Sequence, residues 1–184
     1  MRVLGISGSL RESSHNTALL RAAQQSAPEG IEVELYEELE LVPPYNEDRD
    51  GHNAPEVVAR LRELVDGADA VLFATPEYNG SIPGQLKTAV DWLSRPRGAS
   101  VLFGKTAAVV GASTGAYGGI WAQADLRKSL GIAGARVIEA ELAVGHAGDH
   151  LYTDGEIADA DTREKLADVL GDLAVASEPV AAAA

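Results

Sequence analysis

The sequence predicts an open α/β fold: a parallel sheet covered by helices on both faces. Three observations carry that expectation. Strand-like and helix-like segments alternate along the chain, most strand segments are apolar throughout, and three polar, glycine-bearing loops each follow one of them. A strand without polar alternation is buried on both faces, as a central parallel strand is.

Residues 2–7 (RVLGIS) form the first apolar run, which stops at Gly8-Ser9. Residues 16–27 are rich in helix formers, with Leu19, Leu20 and Ala23 on one face. Residues 31–36 alternate strictly, with Ile31, Val33 and Leu35 set against Glu32 and Glu34. One face of that strand should therefore meet water, as at a sheet edge. Residues 37–53 are irregular and contain Pro43-Pro44 and Asp50-Gly51. Asn53-Ala-Pro-Glu56 reads as a capping box that opens a helix over 54–66.

Residues 68–75 (ADAVLFAT) are a second buried strand. Ser81 with Pro83 opens a helix through about residue 94, with Leu86, Val90 and Leu93 on one face. Residues 106–112 (TAAVVGA) are a third buried strand, and a glycine-rich loop over 113–119 leads into a helix through about Leu130. Residues 135–139 make a fifth strand. Asp161-Thr-Arg-Glu164 reads as another capping box, opening a last helix to about Ser177. The alanine-rich end, from about residue 180 to 184, is expected to be disordered.

No internal repeat or linker divides the 184 residues, so one domain over 1–184 is expected. The formal charge of −13 repels phosphate backbones and anionic lipid, which argues against nucleic-acid and membrane partners. That charge is unevenly spread. Residues 29–50 carry nine acids and one base, residues 149–178 carry nine acids and two bases, and the rest of the chain is net +2. The absence of cysteine removes disulfides, thiol nucleophiles and thiolate metal sites, and fits a reducing compartment. Met1-Arg2 leads into an apolar run broken by Gly8 and Arg11, so no signal peptide is expected and a cytoplasmic location is.

In open parallel sheets ligands bind beyond the carboxyl ends of the strands. The three unusual loops, 7–16, 76–82 and 113–119, all fall there. In the first, Gly8 allows a tight turn. Ser9 and Arg11 supply a donor and a cation, and Asn16 could cap the following helix. Hydroxyls, amides, a cation and a helix N-terminus make an anion cradle, set against the plain alternative of a polar strand–helix turn. The loop matches neither GxGxxG nor GxxxxGK[ST]. In the second, taken through Gly84, two prolines and two glycines fix an irregular path along which amides could meet a planar ligand, with Tyr78 or Asn79 adding an aromatic edge or an amide. A rigid turn with an N-cap is the alternative. In the third, three glycines and Tyr117 permit close approach to a flat ring, or simply make a flexible connection.

The segments GSLRESSHN (8–16), PEYNGSIPGQLK (76–87) with Asp91-Trp92, and the Gly111–Gly119 loop together resemble the NADPH-dependent FMN reductase family of flavin, quinone, azo-dye and chromate reductases. The similarity covers about residues 1–140. It implies a flavodoxin-like three-layer sandwich with a five-stranded parallel sheet in order 2-1-3-4-5. It also implies bound FMN, NADPH or NADH as co-substrate, a small-molecule acceptor, and a homodimer or homotetramer. By the same resemblance Ser9, Arg11, Asn16 and Thr17 would hold the FMN phosphate. Pro76, Glu77, Tyr78 and Asn79 would line the isoalloxazine, largely through amides. Ser113, Gly115, Tyr117, Gly118 and Gly119 would hold its other side. No protein acid–base residue is required, since flavin N5 carries the chemistry, and one open face serving donor and acceptor in turn implies ping-pong kinetics.

Two rivals remain from sequence: a flavodoxin-type electron carrier without its own NAD(P)H oxidation, and a flavin-free interaction module on the same fold. No metal is expected. His146 and His150 are spaced i, i+4, but Gly145 and Gly148 oppose a helix there and no third ligand is evident. Trp92 reads as core or subunit interface, His15 as a solvated loop residue, and Glu77 as structural rather than a general acid.

Overall fold

The computed structural model describes residues 1–150, 152–153, 156–157 and 159–178, the side chains of His52, 149–150, 152–153 and 156–157 excepted. Five strands, β1 (Arg2–Ser7), β2 (Glu32–Tyr36), β3 (Ala70–Ala74), β4 (Thr106–Ala112) and β5 (Arg136–Val144), pair in parallel in the order β2-β1-β3-β4-β5. This is the flavodoxin-like order expected from sequence. The major helices are α1 (His15–Gln25), α2 (Glu56–Gly67), α3 (Gly84–Leu93), α4 (Ile120–Ile132) and α6 (Ala160–Ser177). A four-residue turn, α5 (Ala147–His150), and a short antiparallel hairpin, β6 (Tyr152–Thr153) with β7 (Glu156–Ile157), lie between β5 and α6. Neither was anticipated.

Strand periodicity sorts the core into two layers. Val3, Ala70, Leu72, Ala108 and Val110 face α1 and α6, where they meet Leu19, Ala23, Leu166 and Leu170. Leu4, Ile6, Val71, Phe73 and Val109 face α2, α3 and α4, where they meet Leu61, Leu86, Trp92 and Leu126. β3 and β4 are buried at every position, because helices cover both faces. β2 is an edge strand and exposes Glu32 and Glu34, as its alternation predicts.

Neither capping box forms. Asn53 closes a 3-10 turn over Gly51–Asn53, and Pro55 occupies the cap of α2 without a side-chain bond. Asp159, two residues before the expected position, caps α6 by accepting from the Thr162 amide. β5 runs to Val144, past the expected end at residue 139, beyond a register shift between Ala107 and Val109. The end from about residue 180 to 184, expected to be disordered, lies outside the described residues.

The irregular segment after β2 is tied down by polar groups. Gln85 Nε2 donates to the carbonyls of Leu39 and Val42 at 2.6 and 2.7 Å. Trp92 is fully buried, donates to the Pro43 carbonyl at 2.8 Å, and meets Tyr45 edge-on at 4.9 Å. Arg62 lies 5.7 Å from the Trp92 ring, donates to the Trp92 carbonyl, and pairs with Asp50 at 2.8 Å. Burial alone would push the Asp50 carboxyl up. Hydrogen bonds from Arg62 and the Gly51 amide, with the charges of Arg62 and Arg95, outweigh that and hold it below its ordinary value of 3.8.

A carboxylate depressed in the folded state stabilises fully above its unfolded value and loses that contribution as pH falls through the folded value. Asp50→Asn should therefore cost about 1.5–3 kcal/mol near neutral pH, the range for a hydrogen bond to a charged group. The difference from the wild type should shrink as pH falls below about 4, where the unfolded-state carboxyl begins to protonate, and on through the depressed folded-state value. Urea unfolding at about pH 7 and about pH 3 checks both. Equal losses at the two pH values would contradict the assignment.

Candidate functional site

Strand order reverses at β1, which lies between β2 and β3, and the loops leaving β1 and β3 part around that point. Gly8 begins the first loop with its amide donating to the Ala74 carbonyl at 2.8 Å. A Cβ at Gly8 would stand 2.7 Å from Leu86 Cδ2 and 3.3 Å from Pro76 Cδ, so glycine is what lets the first two loops touch. Within the first loop Thr17 Oγ1 donates to Ser7 Oγ at 2.8 Å, and the Ser9 amide donates to the same oxygen at 3.3 Å. Ser9 is buried and Arg11 is exposed, with one Arg11 nitrogen on Ser13 Oγ at 3.3 Å.

Ser14, not Asn16, caps α1: its hydroxyl accepts from the Thr17 amide at 3.1 Å. Asn16 is buried inside the first turn and cannot reach back to cap it. Its side chain crosses to β4 instead. Oδ1 accepts from the Ala112 amide at 2.9 Å, and Nδ2 donates to the Ala112 carbonyl at 3.0 Å. The first turn of α1 holds no acidic residue, so its positive end stays available to an anion.

In the second loop the amides and carbonyls of Tyr78 and Ser81 pair across a tight turn. Asn79 and Gly80 occupy that turn with φ of 54° and 74°, a left-handed pair that Asn and Gly tolerate best. Glu77 is structural, as expected: Oε2 accepts from the Trp121 and Ala122 amides at 3.1 and 3.2 Å and closes the N-terminus of α4. The third loop is anchored from beyond β5. Ser113 donates to Val144, Ala147 to Ser113, and His146 to Gly115, each at 3.0 Å. Gly118 and Gly119 turn the chain into α4 with φ of 58° and 77°. A Cβ at Gly118 would meet the Ala143–Val144 backbone at 2.5 Å. At Gly115 the same test finds only Ser113 Oγ, at 3.7 Å, so its smallness leaves open space beside the loop.

The three loops meet in a cavity of about 100 Å³ lined by Ser9, Arg11, His15, Asn16, Pro76, Glu77, Tyr78, Ala112, Ser113 and Thr114. Thr17 lines an adjoining hollow of about 410 Å³, together with Ser9 and Arg11. Asn79, Gly115, Tyr117, Gly118 and Gly119 lie outside the cavity wall. Asn79 is at the tip of its turn, and Tyr117 is 62% exposed and edge-on to Trp121 at 5.2 Å. His15 is half-buried in the wall rather than solvated; burial first, then the Arg11 charge, hold its imidazole below the ordinary 6.5. Trp92 is core. Among the described residues no cluster of three or more His, Asp or Glu side chains could hold a metal ion. The His150 side chain lies outside them. Sequence reasoning missed Trp121, Gln123 and the 144–147 support, whose partners are distant in the chain.

Asn16→Ala should destabilise the cofactor-free protein by about 2–3 kcal/mol, because it strands a buried amide and a buried carbonyl at Ala112. Chemical denaturation measures this. A residue serving only as a ligand contact would leave the unliganded stability unchanged.

A family model for NADPH-dependent FMN reductases matches residues 1–149. An NAD(P)H-dependent FMN reductase of Pseudomonas aeruginosa is 41% identical over 167 residues, which cover 90% of this chain and 89% of that protein. An NAD(P)H:quinone oxidoreductase of Solanum tuberosum is 37% identical over 177 residues, which cover 92% and 89%. The structure of FerB, a flavoenzyme NAD(P)H:(acceptor) oxidoreductase from Paracoccus denitrificans, superposes with a TM-score of 0.85 at 35% identity over 96% of both chains. With the 2-1-3-4-5 sheet and three converging loops, these matches place the chain, an oxidoreductase, in the NADPH-dependent FMN reductase family.

Proposed function

We propose that residues 1–184 form one FMN-binding domain that oxidises NADPH or NADH and reduces a small acceptor. Quinones lead the acceptor classes on the strength of the relatives' names, ahead of free flavin, azo compounds and metal oxyanions. The convergence of all three loops on one cavity carries this reading.

The donor set fits FMN. Ser9, Arg11 and Thr17, with the remaining N–H of Asn16 and the N-terminus of α1, suit a phosphate. Pro76, Glu77 and Tyr78 on one side and Ser113 on the other line the cavity and would meet a flat ring there, while Asn79, Gly115, Tyr117, Gly118 and Gly119, which stand outside its wall, would meet the ring only where it extends past the cavity. Backbone amides would make most of those contacts, since Glu77 is committed to capping α4 and Asn16 to Ala112. When bound, FMN supplies the hydride acceptor at N5 and the two-electron store between donor and acceptor. The chain's own task is to hold, orient and expose that group. The acidic segments 29–50 and 149–178 are separate in sequence from the three loops, but Glu37 and Glu40 of the first segment line the hollow that Ser9, Arg11 and Thr17 share, so Arg11 and the N-terminus of α1 must outweigh them for a phosphate to bind there.

Assembly as a homodimer or homotetramer belongs to the same proposal. A hollow of about 530 Å³ between α3 and α4 is flanked by Phe103 and Ile132, 65% and 75% exposed, and suits a second copy. Among the described residues no helix is long and apolar enough to cross a membrane. We assign the cysteine-free chain to the cytoplasm.

Donor and acceptor take turns at one open cavity, so ping-pong kinetics are expected. Purified protein should oxidise NAD(P)H with a quinone and no partner protein, giving parallel lines in double-reciprocal plots. Intersecting lines would contradict a shared site. Failure to oxidise NAD(P)H alone would favour an electron carrier.

A further inference from the structure

The ladder between β4 and β5 breaks. Ala107 pairs with Val137, but the next pair is Val109 with Glu141, so β5 spends two more residues than β4 across the gap. Carbonyls at such a break need other donors. Arg127, from α4, supplies them: Nη2 donates to the Val109 carbonyl at 2.8 Å and to the Ala140 carbonyl at 3.1 Å. The same nitrogen reaches Gln123 Oε1, one turn back, at 3.3 Å. Gln123 is 1% exposed, and its Nε2 donates to the carbonyls of Gly118 at 3.1 Å and Leu142 at 3.3 Å. A continuous chain of hydrogen bonds therefore runs from the break in the sheet to the left-handed turn that ends the third loop.

That arrangement is costly for a purely structural device. Among the described residues Arg127 makes no salt bridge, and its Nε is buried without a partner. A half-buried cation whose hydrogen bonds all go to carbonyl oxygens, with the charge of Glu141 acting on it but no ion pair, still carries a desolvation cost. Space around the relay is also tight. A Cβ at Gly111 would stand 2.7 Å from Gln123 Nε2 and 2.9 Å from the Gly118 carbonyl, so the amide has one seat.

We propose that Gln123 and Arg127 are positioning residues for the third loop: they fix the Gly118 carbonyl, and with it the Gly118–Gly119 turn, in the orientation that receives the ligand, without touching the ligand. The cofactor half of this rests on the FMN reading above; the loop half does not.

The test uses the wild type, Arg127→Met, Arg127→Lys and Gln123→Met, each with three readouts: amide hydrogen exchange in the cofactor-free protein, FMN affinity by fluorescence titration, and thermal melting. Loss of buried hydrogen bonds should speed exchange over 117–120 and weaken FMN binding, each by roughly ten-fold, in both methionine variants. Arg127→Lys keeps a cation that can reach the same carbonyls and should recover most of both. Lower melting temperatures with wild-type loop exchange and wild-type FMN affinity would overturn the proposal, as would a lysine variant no better than methionine. If Arg127→Met fails to fold, Gln123→Met decides, because it leaves the guanidinium on its carbonyls. If the wild type binds no FMN, the FMN reading fails while the exchange data still decide the positioning claim, which unchanged loop exchange would refute.

Discussion

The side-chain amide of Asn16 does for Ala112 what a neighbouring strand would do. It accepts the amide hydrogen and donates to the carbonyl, closing a two-point clasp between the start of α1 and the carboxyl end of β4. β1 and β3 precede β4 in the sheet order, so the clasp reaches across the carboxyl end of β3. Everything at that edge follows from this reach. The first loop cannot lift away, Gly8 stays close against Pro76 and Leu86, and the third loop begins at a fixed point. Both Ala112 backbone groups are buried, so the clasp has no solvent substitute.

From that anchor the remaining supports are exchanges between loops. Glu77, on the second loop, closes the helix that follows the third. Ser81 Oγ donates to Asp125 on that same helix at 2.7 Å. The 144–147 backbone holds the third loop from beyond β5. On the same face of the sheet as α4, Arg62, Gln85 and Trp92 bind the acidic segment after β2. Polar side chains thus stiffen the loops, while the apolar layers fix the strands beneath them. A site preorganised in this way spends little binding energy on ordering itself.

The strands and the three loops were legible because the signals are local, whereas the sheet order came only through the family resemblance. Unbroken apolar runs mark β1, β3 and β4, alternation marks the edge strand β2, and loop composition marks the strand ends. Caps were misplaced because the same short pattern occurs near a helix start without forming one. Asn53 was drawn into a 3-10 turn, and Asp159 lies two residues ahead of the apparent box. β5 was read short because Glu139 and Glu141 interrupt its apolar character, although an edge strand tolerates both. Asn16 read as a cap or ligand because its partner, Ala112, is 96 residues away. Gln123 and Arg127 sit mid-helix and show their use only once the register break is seen.

In the proposed function the first loop, held by this clasp, seats the FMN phosphate on Arg11. Calorimetric titration of FMN into cofactor-free wild type and Arg11→Ala tests it most directly. The wild type should bind tightly and the variant should lose about 1.5–3 kcal/mol, the range for a charge-assisted hydrogen bond. Equal FMN affinity in the two proteins would contradict it.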